Sequence, residues 1–412
     1  MYCAELKAVL LEPVAIKRHR QSDRSETVRY IPGTVLRGAL AAAYLRRGGG
    51  VDDQFQALFT RGECRFGPLD PARNLAPLTA MACKRGGVAH ALWDSLWERM
   101  TAALRSFPID ESGRNPWKCP ECESDMKPLD GYFYDSVEQG GEADKRVIEV
   151  GFMHVGIDRL RGSAAEGILY SVEALAPVQL DNEPVLYGCV RATAPEWIRA
   201  LAELTEEEIY VGHHKTRGYG RCRLVVDNAE GAQAEEQNPQ EWEQWSKEFI
   251  AYARQVDSAL ELDPDRDFFF TINLPYGAVV VDPFLRYSLD PADVVDWLPP
   301  LPDPAQPDYS ARPEKPFEDG KLRCVAARTR HELVRGWNAA HGLPRADEYA
   351  IDRGAVYAYQ YTGGQAGRQA LHARLASLVE DGLGLRLSEG FGRVVVCDGF
   401  HRVRSSADGG RS

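Results

Sequence analysis

The sequence lacks any apolar run approaching the roughly 18 residues of a membrane span, and near the amino end Val9-Leu10-Leu11 is broken at once by Glu12 and Pro13. A helical membrane protein is excluded, and the expected setting is the cytoplasm. A dense cysteine framework is also missing. The nine cysteines are an odd set spread over 412 residues, and Cys119 and Cys122 alone stand close together. In a reducing compartment they are expected as thiols, so the tight pair points to metal instead of a disulfide. Basic residues are the third shortage: 49 Lys and Arg against 61 Asp and Glu give a formal net charge of −12. Taken alone, that argues against a nucleic-acid partner. What is present is ordinary globular composition, 44% hydrophobic and 27% charged, long enough for two to four domains at roughly 100–200 residues each.

The charge is unevenly placed. Residues 227–262 hold nine acidic side chains against Lys247 and Arg254, and residues 289–320 hold eight against Arg312 and Lys315. These two stretches account for the whole net charge. Residues 1–50 instead carry nine basic side chains, Lys17, Arg18, Arg20 and Arg37 among them, against Glu5, Glu12, Asp23 and Glu26. An anionic partner therefore remains open at the amino-terminal end, with a solvated basic face as the plainer alternative.

Periodicity organises the chain into two similar halves. Residues 4–16 read as a strand followed by a basic loop. Then Leu36, Leu40 and Tyr44 recur at helical spacing, with Thr34 as N-cap and Arg46 and Arg47 in the last turn. Residues 60–150 read as a Gly- and Pro-rich insertion with a helix near 90–105. A strand at 168–174, a helix at 195–204 and a strand at 222–226 complete the first half. After an acidic helix at about 239–260, read as a spacer, come strands at 267–274, 323–327 and 356–361. A helix at 367–379 and a strand at 394–397 follow. Residues 289–320, with eight prolines, read as an irregular insert. The expected fold class is α+β: two tandem ferredoxin-like modules of the RNA-recognition type. The first module, 1–228, bears the Cys-containing insertion; the second, 265–400, bears the Pro-rich one; 229–264 is the spacer and 401–412 a flexible tail.

Each half ends in a glycine-rich turn before its last strand. The first runs from Gly212 through His213, His214, Lys215, Arg217 and Tyr219 to Arg221; the second runs from Gly382 through Arg386 and Phe391 to Arg393. Glycine lets backbone approach a phosphate, Lys and Arg supply charge, and an aromatic ring offers a stacking face. Neither turn opens a helix, and no GxGxxG or GxxxxGK[ST] pattern is present, so a Rossmann or P-loop nucleotide site is excluded. A plain tight turn is the alternative for either loop taken singly.

In order, YIPGTVLRGALAAAYLRR (30–47), HVGIDRLRGSAAEGILYSVEAL (154–175), GHHKTRGYGRCRL (212–224) and LSEGFGRV (387–394) resemble the RAMP superfamily of CRISPR-associated proteins. With GWNAAHGLPRADEYAIDRGAVYAYQ (336–360), the chain is most similar to the large RAMP subunit of type III-D effector complexes. The resemblance implies an RNA-binding subunit, not a free-standing enzyme. Such a subunit holds the repeat-derived 5′ handle of the guide crRNA and caps the backbone, with target RNA nearby. It also implies two protein partners, the large polymerase-like subunit and a neighbouring RAMP backbone subunit. Thr34, Arg37, Lys17, Arg18 and Arg20 would touch phosphates, the helix start being a favourable anion site. His154, Asp158 and Arg159 resemble the family's central loop.

Cys83 and His90, followed by Cys119-Pro-Glu-Cys122, supply the four donors of a tetrahedral structural zinc site, with Cys64 as substitute should His90 face elsewhere. Four unligated side chains are the alternative. Two catalytic readings stand beside the scaffold. Asp23 occupies roughly the place where RAMP backbone subunits carry a target-cleaving aspartate. His19, or the His213-His214 pair beside Lys215, could act as general base in processing a precursor guide.

Overall fold

The computed structural model describes residues 1–17, 24–105, 117–133, 147–177, 185–233, 238–301, 322–338 and 341–404. The chain opens with β1 (Tyr2–Leu10), α1 (Gly33–Arg46), β2 (Cys64–Phe66), β3 (Ala80–Cys83), β4 (Ala91–Asp94) and α2 (Leu96–Leu104). It continues through β5 (Met126–Pro128), β6 (Val147–Asp158), β7 (Ser163–Pro177), β8 (Val185–Ala192), α3 (Pro195–Leu204) and β9 (Arg221–Gln233). The second half comprises α4 (Pro239–Val256), β10 (Phe268–Leu274), β11 (Leu322–Arg328), β12 (Ala355–Tyr361), α5 (Gln365–Asp381), β13 (Val395–Val396) and α6 (Gly399–Arg404).

Along β1, Ala4, Leu6, Ala8 and Leu10 are buried while Cys3, Glu5 and Lys7 on the opposite face are half-buried, as period-two alternation requires of a strand with one covered face. The first sheet runs β9-β1-β8-β2, all antiparallel, with a short strand Ile209–Tyr210 beyond β9. Leu36, Leu40 and Tyr44 of α1 and Ile198, Leu201 and Leu204 of α3 close its covered face. The second sheet runs β13-β10-β12-β11, again antiparallel. In each sheet the strand that comes first in the chain lies between the last and the third, with the second outside the third.

The second sheet is covered on both faces. Leu371 and Leu375 of α5 pack on Phe268, Phe270, Tyr357 and Tyr359. On the other side Trp245, Phe249 and Ala253 of α4, with Trp97 and Met100 of α2, pack on Phe269, Val356 and Ala358. Every residue of β10 and β12 is buried, which is why FFFTINL carries apolar residues on both of its faces. The acidic helix α4 is therefore no free spacer: its apolar stripe is core, and its Glu243 and Glu248 pair with Arg368 of α5 and Arg402 of α6.

Other local expectations also shift. Helix α1 starts two residues earlier, after Pro32, and no side chain caps it, so Thr34 sits in its first turn. The reason is steric: a Cβ at position 33 would stand 2.0 Å from the Phe66 carbonyl oxygen, and glycine there lets helix and β2 touch. The helix expected near 90–105 is divided, because Ala91–Asp94 pairs with β3 and helix begins only after Ser95. The strand at 168–174 is part of β7, one arm of a long β6–β7 hairpin. Among the described residues, no helix is long and apolar enough to cross a membrane.

Candidate nucleic-acid interface and metal centre

The two glycine loops share one backbone construction. In the first, Val211 N–H donates to Gly220 O, His213 N–H to Ala15 O and Gly220 N–H to Pro13 O, each at 2.8 Å. In the second, Leu383 donates to Gly392 O and Leu385 to Val279 O, both at 2.8 Å, and Gly392 donates to Gly277 O at 2.7 Å. Each contains a 3-10 turn, Lys215–Arg217 or Leu387–Glu389, entered through a left-handed residue, His214 (φ 61°) or Arg386 (φ 60°). Gly212 and Gly384 are required at φ 80° and 82°, where a Cβ would come within 2.4 Å of Ala15 O and 2.3 Å of Val279 O.

Side chains divide the two loops sharply. The first packs on the half-buried face of the β6–β7 hairpin. Tyr219 is buried there against Ala15, Val172 and Ala174, with Phe152 edge-on at 5.7 Å. His154 Nε2 lies 2.8 Å from the Tyr219 hydroxyl, and its ring stacks on Tyr170 at 5.4 Å with an 18° interplanar angle. The β6–β7 register sets these two residues directly opposite. Arg217 donates to the Tyr170 hydroxyl and lies 5.9 Å from its ring centroid. His213 and Lys215 are exposed, as is Lys17, which is bridged to Thr27.

Electrostatically this corner is cationic. Desolvation, then Lys17, His214 and Lys215, hold His213 below the usual imidazole range. Desolvation, then Arg217, Lys17 and His154, do the same to His214. Lys215 is lowered by desolvation and by Arg46. Among the described residues no carboxylate forms an ion pair with His213, His214, Lys215 or Arg217. Like charges crowd against polarisable rings, and an anion placed there would relieve the repulsion.

The second loop is committed to internal partners. Arg386 pairs with Glu348 and Glu389 and lies 5.1 Å from the Phe391 ring centroid. Arg393 is half-buried, with Tyr276 Oη at 2.7 Å and Cys189 Sγ at 3.5 Å. Arg37 donates to Phe59 O at 2.7 Å and to Glu389 Oε1 at 2.9 Å. Arg221 is balanced by Glu12 and Glu208. Thr34 is half-buried in the first turn of α1, and Arg159 is exposed at the tip of the β6–β7 hairpin. Arg18, His19, Arg20 and Asp23 lie outside the described residues. Thus Lys17, His154, His213, His214, Lys215, Arg217 and Tyr219 come together, while Arg37, Arg221, Arg386, Phe391 and Arg393 do not join them. Tyr170 and Arg46 belong to the corner but were not singled out by sequence; pairing of 154 with 170 was the missing signal.

The cysteine lobe brings four donors to one point. Cys83 ends β3, His90 ends the one-turn helix Gly87–His90, and Cys119 and Cys122 flank a tight turn ahead of β5. Cys83 Sγ lies 3.5 Å from Cys122 Sγ and 3.8 Å from His90 Nδ1, and all four ligand atoms fall within 4.8 Å of one another. Tetrahedral zinc with Zn–S near 2.3 Å needs sulfur atoms about 3.8 Å apart, so three thiolates and an imidazole fit the ion. The Gly86 N–H at 3.4 Å from Cys83 Sγ adds a backbone donor. Cys64 is on β2 in the first core and takes no part.

The sequence matches no known family model and no curated protein. Among solved structures, the chain is similar to one from a type III-B Cmr-beta complex bound to cognate target RNA and AMPPnP. Identity is 11%, the match covers 92% of this chain and 90% of that one, and the TM-score is 0.41. A second similarity is to oligomeric Cmr4 from Pyrococcus furiosus, at 11% identity, 57% of this chain, 99% of that one and a TM-score of 0.26. At these scores the likeness carries no argument, and function is read from the residues.

Proposed function

We propose that this chain binds single-stranded RNA without cutting it, gripping phosphates with the first glycine loop and Lys17 and setting bases against the His154–Tyr170 face. One observation carries this reading: His213, His214, Lys215 and Arg217 converge beside stacked rings with no ion-paired carboxylate among the described residues. The ordered motifs extend it to a RAMP-type subunit of a type III CRISPR effector complex that holds the 5′ handle of the guide RNA. The matched strand orders and loop hydrogen bonds support two ferredoxin-like modules, 1–228 and 265–400, with α4 packed onto the second. Cys83, His90, Cys119 and Cys122 would hold a structural zinc ion, whose role is to fix the lobe, since four protein donors leave no open position.

A labelled repeat-derived RNA tests the reading by fluorescence anisotropy over a salt series. Lys215→Ala with Arg217→Ala should weaken binding by about tenfold or more. The slope of log K against log salt should fall by about 1.4, two contacts at about 0.7 each for a single strand. Unchanged affinity would remove the first loop from the interface. The bound RNA should stay intact with and without Mg²⁺. Its cleavage, lost in Asp23→Ala or His213→Ala, would replace the scaffold with a nuclease.

A further inference from the structure

Seven of the nine cysteines have evident structural settings. Burial pushes Cys64 and Cys222 of the first core up to about 12, Cys324 and Cys397 pack in or on the second core, and Cys83, Cys119 and Cys122 form the metal cluster. Cys3 and Cys189 differ. The β1–β8 register sets Cys3 opposite Arg191 and Glu5 opposite Cys189, so the two thiols are diagonal neighbours on one sheet face. Both line a cleft of about 360 Å³ between the two sheets, and both are partly exposed.

Cys189 stands among donors. Its sulfur is 3.4 Å from the Tyr276 hydroxyl and 3.5 Å from Arg393 Nη1. A hydrogen bond from Cys3 foremost, then the charges of Arg393 and Arg191 and the Tyr276 hydroxyl, outweigh burial and bring the Cys189 thiol down to about 5. The same contact, with burial, drives Cys3 up. Cys189 thus faces a guanidinium and a hydroxyl, groups that favour its thiolate, and Cys3 is the second sulfur on the same face.

We propose that Cys189 and Cys3 form a two-thiol oxidation site in the cleft between the sheets, with a hydroperoxide as the oxidant. The Cys189 thiolate attacks one peroxide oxygen; an S–O bond forms as O–O breaks, and the departing hydroxide takes a proton to become water. The Cys3 sulfur then attacks the sulfenic sulfur; S–S forms, S–O breaks, and the Cys3 proton leaves with the hydroxyl as a second water. Two thiols lose two electrons, and one hydrogen peroxide becomes two waters. The product ties β1 to β8 and removes the anion facing Arg393.

The zinc-loaded full chain is treated with stepped hydrogen peroxide, blocked with N-ethylmaleimide, and read by intact mass and peptide mapping. A linked pair of peptides containing Cys3 and Cys189 is expected before Cys64 or Cys222 oxidises, and dithiothreitol should reverse it. Cys3→Ser should leave Cys189 carrying added oxygen, and Cys189→Ser should leave Cys3 unreacted. Iodoacetamide should label Cys189 in the parent chain nearly as fast at pH 6 as at pH 8. The site is overturned if Cys189 oxidises no faster than Cys64, if it oxidises in the parent without joining Cys3, or if its labelling rate climbs about tenfold per pH unit. None of these readings depends on RNA being bound.

Discussion

His213 and His214 make the first loop sensitive to acid. Both are held below 6.5, the ordinary imidazole value, and the groups facing them are Lys17, Lys215, Arg217 and His154, with Arg46 beside Lys215. Charging them in the free protein therefore costs stability. That cost is absent above the unfolded value and fully felt once pH has fallen through the folded ones. A bound phosphate reverses the sign, since it stabilises both imidazolium forms. RNA affinity should accordingly rise between pH 8 and pH 5.5, and His213→Ala with His214→Ala should flatten the profile; a flat profile in the parent would take the two rings out of the interface. At this scale the sequence displayed the cationic and aromatic residue types but not their partners. Arg37 and Arg393 look as free as Lys215 and Arg217, because Glu389 and Tyr276 come near them only through the fold. Of the three arginines that meet the buried Glu389 carboxylate, Arg386 alone stands near it in sequence.

Glu389 shows what becomes of a repeated element when one residue changes its charge. It occupies in the second loop the place that Arg217 holds in the first, and it accepts from Arg37 on α1, from Arg345 and from Arg386. Burial alone would raise its carboxyl; Arg386, Arg37 and Arg345 outweigh that and lower it. Its stabilising effect is thus present above the ordinary 4.5 and fades as pH falls through the folded value. Glu389→Gln should cost about 3–5 kcal/mol in denaturant unfolding at pH 7, with much less lost at pH 3. A loss of under about 1 kcal/mol would mark the cluster as solvated. The cysteine lobe is the other element whose stability is separable. Chelation by 1,10-phenanthroline should release one zinc and lower the melting temperature, and zinc should restore it; a metal-free protein that melts unchanged would leave the cluster as four idle side chains. Sequence spacing revealed the lobe's donors because Cys and His carry their chemistry with them. The arm β6 was not legible as a strand, since Met153, Val155 and Ile157 are exposed while Phe152 and His154 face the loop, so apolar residues fall on both faces.

At the scale of the whole molecule, the halves interlock beyond what a tandem pair of modules would suggest. Arg353 donates to Asp70 Oδ2 at 2.6 Å and lies 4.1 Å from the Tyr30 ring centroid, while Tyr132 donates to Asp70 Oδ1 at 2.7 Å. Arg65 donates to the Glu380 carbonyl at the end of α5 at 2.8 Å, a first-half side chain satisfying a second-half helix terminus. More tellingly, α2 comes from the first-half insertion yet buries Leu96, Trp97 and Met100 against the far face of the second sheet, with the Trp97 ring 5.8 Å from Trp245 and 5.9 Å from Phe249. The charge count had concealed this, because α4 reads as acidic and solvated until its Trp242, Trp245 and Phe249 are seen on one face. Two modules joined by a linker would melt separately; modules that share a core should melt once. Trp97→Ala should therefore cost about 3–5 kcal/mol and shift a single transition, with far-UV dichroism and tryptophan fluorescence moving together. Two separated transitions, with only the first altered, would mean that the insertion rides on its own half and the shared core contributes little.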